Sequence, residues 1–252
     1  MKLRLLLISV ITAINIVACQ HKQQAPISTI DSTLQVNATS ILEEKLSEIN
    51  AQSGQVIVME VQSGQIKALV GLTRKDSTNY QSCENFSVWQ STGLMHPISL
   101  LAALETGKVK LSDKVDTGNG IYQVQGRELK DHNWHRGGYG ELTVQEGLAV
   151  SSNIAIYKTM EKAFGNNPQS YFDLLANMSY GKPDSITGIA NLNPAYFVTP
   201  KDNNWAKSDF AWSSIGYNQQ ISPIQILTFY NAIANNGKMI QPQLYKDSVV
   251  AV

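Results

Sequence analysis

The sequence predicts a mixed α/β fold of the α+β kind, with a helical subdomain lying against an antiparallel sheet. Three observations point there. Gln55-Val-Ile-Val-Met-Glu-Val61 and Ile66-Lys-Ala-Leu-Val-Gly71 are strand-like runs joined by the short turn Gln62-Ser-Gly-Gln65, which is the pattern of a β-hairpin. Apolar segments with helical spacing follow at 91–107, 143–160 and 222–237. The chain of 252 residues, 43% apolar and 16% charged, is long enough to enclose one sizeable core.

The N-terminus reads as a targeting segment. Met1-Lys-Leu-Arg4 is basic and Leu5 to Ala18 is apolar, a length that suits a signal peptide (1–18) better than a membrane span. Ile16-Val-Ala-Cys19 resembles a bacterial lipobox, which implies that cleavage leaves Cys19 as a lipidated N-terminus and membrane anchor. An ordinary signal peptide or an uncleaved anchor is the alternative. Residues 19–39 are polar and read as a tether, leaving 40–252 as the domain. Cys83 is then a lone thiol, most simply a small buried apolar residue.

Within the domain, Ser40-Ile-Leu-Glu43 has the form of a capping box. Ile41, Leu42, Leu46 and Ile49 make a short amphipathic helix after it. The helix at 91–107 opens on the N-cap types Ser91 and Thr92, carries Leu94, Ile98, Leu101 and Ala102, and stops at Gly107. Thr143 with Glu146 starts another helix. Ser222 with Pro223 in the first turn starts the last, whose buried face is expected at Ile224, Leu227, Tyr230 and Ile233.

Twenty basic residues balance twenty acidic ones, so no field favours nucleic acid or an anionic surface. His132 and His135 lie close together in Asp131-His-Asn-Trp-His-Arg-Gly-Gly138, but no further ligand completes a metal set, so no metal and no cofactor is expected. Ser179-x-x-Lys182 is the one Ser-x-x-Lys, and Gly181 and Pro183 deny it the helix that would activate a nucleophile.

Three stretches carry a resemblance. Trp89-Gln-Ser-Thr-Gly-Leu-Met-His-Pro97 with Ala103-Leu-Glu105 is similar to the nucleophile helix of penicillin-binding protein transpeptidase domains. Ser151-Ser-Asn153 falls on that family's Ser-x-Asn. Ser214-Ile-Gly216, Ser222-Pro-Ile-Gln225 and Ala234-Asn-Asn-Gly237 are similar to its last apolar helix. The resemblance implies the transpeptidase/β-lactamase-like fold with an incomplete sheet. It places Ser151, a proton-passing position, and Asn153, which holds the substrate amide, on the second motif. It also places the family's nucleophilic Ser on Gly93 and its general-base Lys on His96. Its Lys-Thr-Gly strand motif does not occur in this sequence.

The resulting expectation is a penicillin-binding protein transpeptidase-like lipoprotein of peptidoglycan metabolism without acyl-transfer activity, facing the periplasm or the exterior in the bacterial cell envelope. It would bind a peptidoglycan stem peptide, a cell-envelope protein or penicillin through Ser151, Asn153 and aromatics such as Trp134. The alternatives are a divergent active D,D-transpeptidase or β-lactam-binding enzyme, with Thr92 and His96 as a replacement pair, or a non-functional gene fragment.

Overall fold

The computed structural model describes residues 26–83, 92–182, 185–189 and 192–246, with the side chain of Thr92 left out. The expected signal peptide, Cys19, the Trp89–Ser91 helix entry and the Thr92 hydroxyl lie outside the described residues. No helix among the described residues is long and apolar enough to cross a membrane.

The chain begins with β1 (Ile27–Ser28) and α1 (Ser32–Glu48). The helix starts well before the expected Ser40. Asp31 caps it, accepting the Leu34 amide at 2.9 Å, whereas Ser40 lies inside the helix and donates back to the Val36 carbonyl at 3.3 Å. The end of the expected tether is therefore ordered structure from residue 27 on. Leu42 and Leu46 turn inwards, while Ile41 and Ile49 stay exposed.

The hairpin forms where the alternation places it: β2 (Ser53–Met59) and β3 (Ile66–Arg74) are antiparallel, with Val56 opposite Val70. Gly64 makes the turn possible. Its φ is +73°, and a Cβ there would stand 2.5 Å from the Gln241 carbonyl oxygen. A third strand, β4 (Tyr80–Ser82), adds to β3. On one face, Val70 and Leu72 pack on Leu42 and Leu46 of α1. On the other, Ile66, Ile57 and Leu69 cluster with Ile186 and Ile224.

The remaining edge of β3 is sealed without a strand. The Thr29 hydroxyl donates to the Ile66 carbonyl at 2.8 Å and the Asp31 amide to that of Lys67 at 2.9 Å. The Gln35 side-chain amide both donates to and accepts from the backbone of Leu69, each at 2.8 Å. The outer edge of β2 has no strand partner among the described residues.

The helical subdomain is built on α2 (Met95–Glu105), entered by a 3₁₀ turn at Thr92–Leu94. Pro97 falls in its first turn, where a missing N–H costs no intrahelical bond. Met95, Ile98, Ala102 and Ala103 are fully enclosed, so α2 is the spine of the core. Burying side chains such as Met95 and Ile98 contributes roughly 1.5–3 kcal/mol each.

A run of short strands follows: β5 (Lys114–Asp116), β6 (Ile121–Val124) and β7 (Arg127–Lys130), then β8 (Glu141–Thr143), with β6 paired to β7 and β5 to β8. Thr143 and Glu146 make the expected capping box for α3 (Val144–Ala149). Then come α4 (Asn153–Phe164), α5 (Gln169–Asn177), β9 (Tyr196–Phe197), α6 (Asp209–Ser214) and β10 (Gln219–Gln220). The chain continues through α7 (Pro223–Ala234) to β11 (Tyr245–Lys246), which pairs with β1. Ser179 and Lys182 fall in a turn, with Ser179 at φ +57° and Gly181 at +90°.

Ser222 and Gln225 form a second capping box, with Pro223 in the first turn. The buried face of α7 runs through Ile224, Thr228, Phe229 and Ala232. The expected Ile233 is 47% exposed. The correction follows from crowding on two sides. The sheet takes Ile224 and the helical core takes Phe229, which together turn Ile233 outwards.

Candidate active site

Two helix starts meet to form the site. The 3₁₀ turn leading into α2 carries Gly93, and the first turn of α2 carries His96. The joint between α3 and α4 carries Ser151, with Asn153 as the first residue of α4.

The joint is tightly specified. Ser151 has a left-handed backbone, φ +53°, and its amide donates to the Leu148 carbonyl at 3.0 Å. Such a conformation is unfavourable for a residue with a Cβ, and it persists because both flanks are fixed. The helix cap is neither Ser151 nor Asn153 but Ser152, whose hydroxyl accepts the Ala155 amide at 3.0 Å. That leaves the Ser151 side chain free to point away from α4, where the residue is exposed.

Asp131 locks the joint to the preceding loop. Its carboxylate accepts the Ser152 hydroxyl at 2.8 Å and the Ile154 amide at 3.0 Å, although the residue is only 1% exposed. Burial raises its pKa, and the Ile154 amide and Ser152 hydroxyl pull the other way. The Asn153 side chain donates to the Lys130 carbonyl at 2.8 Å, a second tie to the same loop.

This loop carries the exposed aromatic and basic residues. Trp134 is 44% exposed, with the Lys130 ammonium 4.7 Å from its ring centroid. His132 bonds the Tyr139 hydroxyl at 3.0 Å, and the Arg136 guanidinium donates to His135 at 3.2 Å. Neither histidine is paired with the other.

The functional positions converge as follows. Ser151 Oγ and His96 Nδ1 are 3.1 Å apart. A Cβ on Gly93 would come 3.5 Å from the same Oγ, an ordinary contact. His96 is buried, and desolvation lowers its pKa from 6.5 to about 4, outweighing the Asn153 side chain, which favours the charged form. The imidazole is therefore neutral at physiological pH. Position 93 offers no nucleophilic atom, and among the described residues the exposed hydroxyl that lies beside the His96 imidazole is that of Ser151. Asp131 and Ser152, which hold the joint in place, were not singled out from sequence. Their only signal was a carboxylate in a turn-rich loop and a second Ser between the two motif residues.

The larger cavities lie away from this pair. One of about 690 Å³ runs beside the β3 edge, bordered by Gln35, Leu69, Tyr80 and Tyr245. Another of about 500 Å³ lies between Gly54, Thr73 and Pro223.

A helical body packed against an antiparallel sheet is the architecture of penicillin-binding protein transpeptidase domains. The penicillin binding protein transpeptidase domain matches residues 54–250, so the chain belongs to that family, which serves peptidoglycan metabolism. Among relatives, a probable peptidoglycan D,D-transpeptidase, PbpC of Pseudomonas aeruginosa, is 25% identical over 95% of this chain and 42% of its own length. Peptidoglycan D,D-transpeptidase FtsI of Escherichia coli is 23% identical over 83% of this chain and 35% of its own. The chain thus spans less than half the length of these relatives. Among solved structures, a peptidoglycan glycosyltransferase from Burkholderia ambifaria superposes with a TM-score of 0.72 at 25% identity, covering 89% of this chain and 66% of that one. The transpeptidase domain of penicillin-binding protein 3 from Burkholderia pseudomallei shares the fold, with a TM-score of 0.72 at 24% identity, covering 90% of this chain and 63% of that one.

Proposed function

We propose that this protein is a transpeptidase-like lipoprotein of the bacterial cell envelope that binds peptidoglycan stem peptides at the Ser151–Asn153 joint, without acyl transfer from position 93. The observation that carries the reading is the convergence of Gly93, His96, Ser151 and Asn153 on one spot. The contacts among these residues support a frame for peptide recognition, while the residue that the resemblance sets at the family's nucleophile position has no side chain. An acyl-enzyme cannot form on Gly93, because a covalent intermediate needs a hydroxyl or thiol there. The fixed Asn153 amide and the exposed Ser151 hydroxyl supply a donor, an acceptor and a rigid backbone, which suit an extended peptide. Lys130, whose carbonyl accepts the Asn153 side chain, and Trp134, whose ring faces the Lys130 ammonium, border the joint and would add cationic and apolar contacts. Cys19, after a signal peptide at 1–18, would hold the domain at the membrane through lipid, with the residues between as the tether.

The test is a fluorescence-anisotropy titration of a labelled stem pentapeptide with the full chain in detergent. Saturable binding that is weakened at least tenfold by Asn153→Ala supports the reading. Absence of binding up to millimolar protein, or binding indifferent to Asn153, overturns it. The anchor is tested separately: palmitate labelling of the wild type but not of Cys19→Ala is the expected result, and equal labelling of both would refute lipidation at that residue.

A further inference from the structure

We propose that Asp131 is the positioning residue of this site: a buried carboxylate that fixes the Ser151–Asn153 joint and the Trp134 loop to each other as one recognition unit. Its effect on affinity rests on the peptide-binding reading, whereas the coupling of the two segments does not.

The joint is held from one place. Asp131 Oδ2 accepts the Ser152 hydroxyl at 2.8 Å, and Oδ1 accepts the Ile154 amide at 3.0 Å. Between them, the Asn153 side chain donates to the Lys130 carbonyl at 2.8 Å. Residues 152, 153 and 154 are thus each bonded to residue 130 or 131. Ser151 stands immediately before them with a left-handed backbone, φ +53°, which persists only while its flanks are fixed. The direction of the Asn153 amide and the outward aim of Ser151 therefore depend on where residues 130–131 lie.

The loop is as closely built on its other side. The Asp131 amide donates to the Gly120 carbonyl at 3.0 Å, and the Trp134 amide donates to the Asp131 carbonyl at 3.1 Å. A Cβ on Gly120 would stand 2.9 Å from Trp134 Cα, and one on Gly138 would stand 2.2 Å from the Gly120 nitrogen. The main chains of 118–120 and 134–138 therefore lie directly against each other, an approach that only glycine permits. Trp134 is 44% exposed on this fixed backbone. Asp131 is the residue at which the loop block meets the start of α4.

A carboxylate is a demanding choice for such a place. Asp131 is 1% exposed, and burial raises its pKa. An apolar side chain would pack there without that desolvation penalty. What the carboxylate adds is direction, because its two oxygens fix two separate donors at the start of α4 relative to Gly120. A site held in this way needs little ordering when an extended peptide arrives, which favours affinity.

An anisotropy titration of the full chain in detergent with a labelled stem pentapeptide tests the positioning role, using variants whose circular dichroism is native. Asp131→Ala should bind about tenfold more weakly. Asp131→Asn should fall between it and the wild type, because an amide offers one acceptor oxygen where the carboxylate offers two. It also keeps the test open should Asp131→Ala not fold. Gln35→Leu, which loosens the β3 edge instead, should bind as the wild type does. Asp131→Ala combined with Asn153→Ala should lose less than the two single losses together, since Asp131 acts partly through Asn153. Hydrogen exchange without ligand tests the coupling: Asp131→Asn should quicken exchange at 132–138 and at 150–154 together. Wild-type affinity in both Asp131 variants, an equal loss in Gln35→Leu, strictly additive losses with Asn153→Ala, or quickening on one side of the lock only would overturn the inference. If the wild type binds no pentapeptide, the binding reading falls. Joint quickening would then still support the lock, and one-sided quickening would still overturn it.

Discussion

The Asp131 carboxylate accepts the Ser152 hydroxyl at 2.8 Å and thereby ties the Trp134 loop to the start of α4. Because the Ile154 amide depends on the same carboxylate, removing it strands two buried donors at once. Asp131→Ala should lower stability by about 3 kcal/mol, read as a shift in the urea midpoint at unchanged slope. Asp131→Asn should cost less, since its carbonyl oxygen can still serve Ile154. Equal losses for the two variants would mean that packing, not hydrogen bonding, is what Asp131 contributes.

His96 gives stability a pH dependence whose sign is fixed by its lowered pKa. Above pH 6.5 the ring is neutral both folded and unfolded. Between pH 6.5 and about 4 the unfolded chain takes up a proton that the folded chain refuses, so stability falls as pH falls, by up to about 3 kcal/mol. Asp131 works in the opposite direction. Its raised pKa makes its own contribution largest at low pH and diminishing as pH rises through the folded value. Urea midpoints followed from about pH 7.5 to 4.5 should decline for the wild type and decline much less for His96→Gln.

Gly93 is not required by its backbone. It lies in a 3₁₀ turn, and among the described residues an added Cβ meets only Ser151 Oγ, at 3.5 Å. Gly93→Ala should therefore raise stability by about 0.5 kcal/mol through the unfolded chain's lost freedom, visible as a small rise in Tm. A loss of 1 kcal/mol or more would mean that the glycine answers a steric demand.

Gln35 stands in for a strand. Replacing its amide with the near-isosteric Gln35→Leu removes both bonds to Leu69 and should cost about 1–2 kcal/mol. Amide hydrogen exchange at Leu69 should quicken in this variant while exchange in α4 stays unchanged.

Local signals were legible in the sequence, and long-range ones were not. The hairpin, the Thr143–Glu146 box and the Ser222 cap with Pro223 behind it each involve neighbours along the chain, and each forms as expected. The start of α1 is ambiguous in the sequence because Ser40 and Asp31 are both good caps. The choice falls to Asp31, whose amide also seals the β3 edge at Lys67. On α7 the expected Ile224 is buried, whereas Leu227 and Tyr230 are half-buried and Ile233 is exposed, because the helix has neighbours on two sides. At the site, the similarity of Ser151 and Asn153 to a known motif could be read directly. The pairing of Ser151 with His96, 55 residues away, and the Asp131 lock, 21 residues from Ser152, exist only in the fold.

The most direct test of peptide recognition at the joint is hydrogen exchange of the full chain with and without a stem pentapeptide. Slowed exchange at 93–96 and 150–154, with β2 unaffected, is the predicted result. Unchanged exchange at those segments under saturating peptide, or protection confined to the sheet, would contradict it.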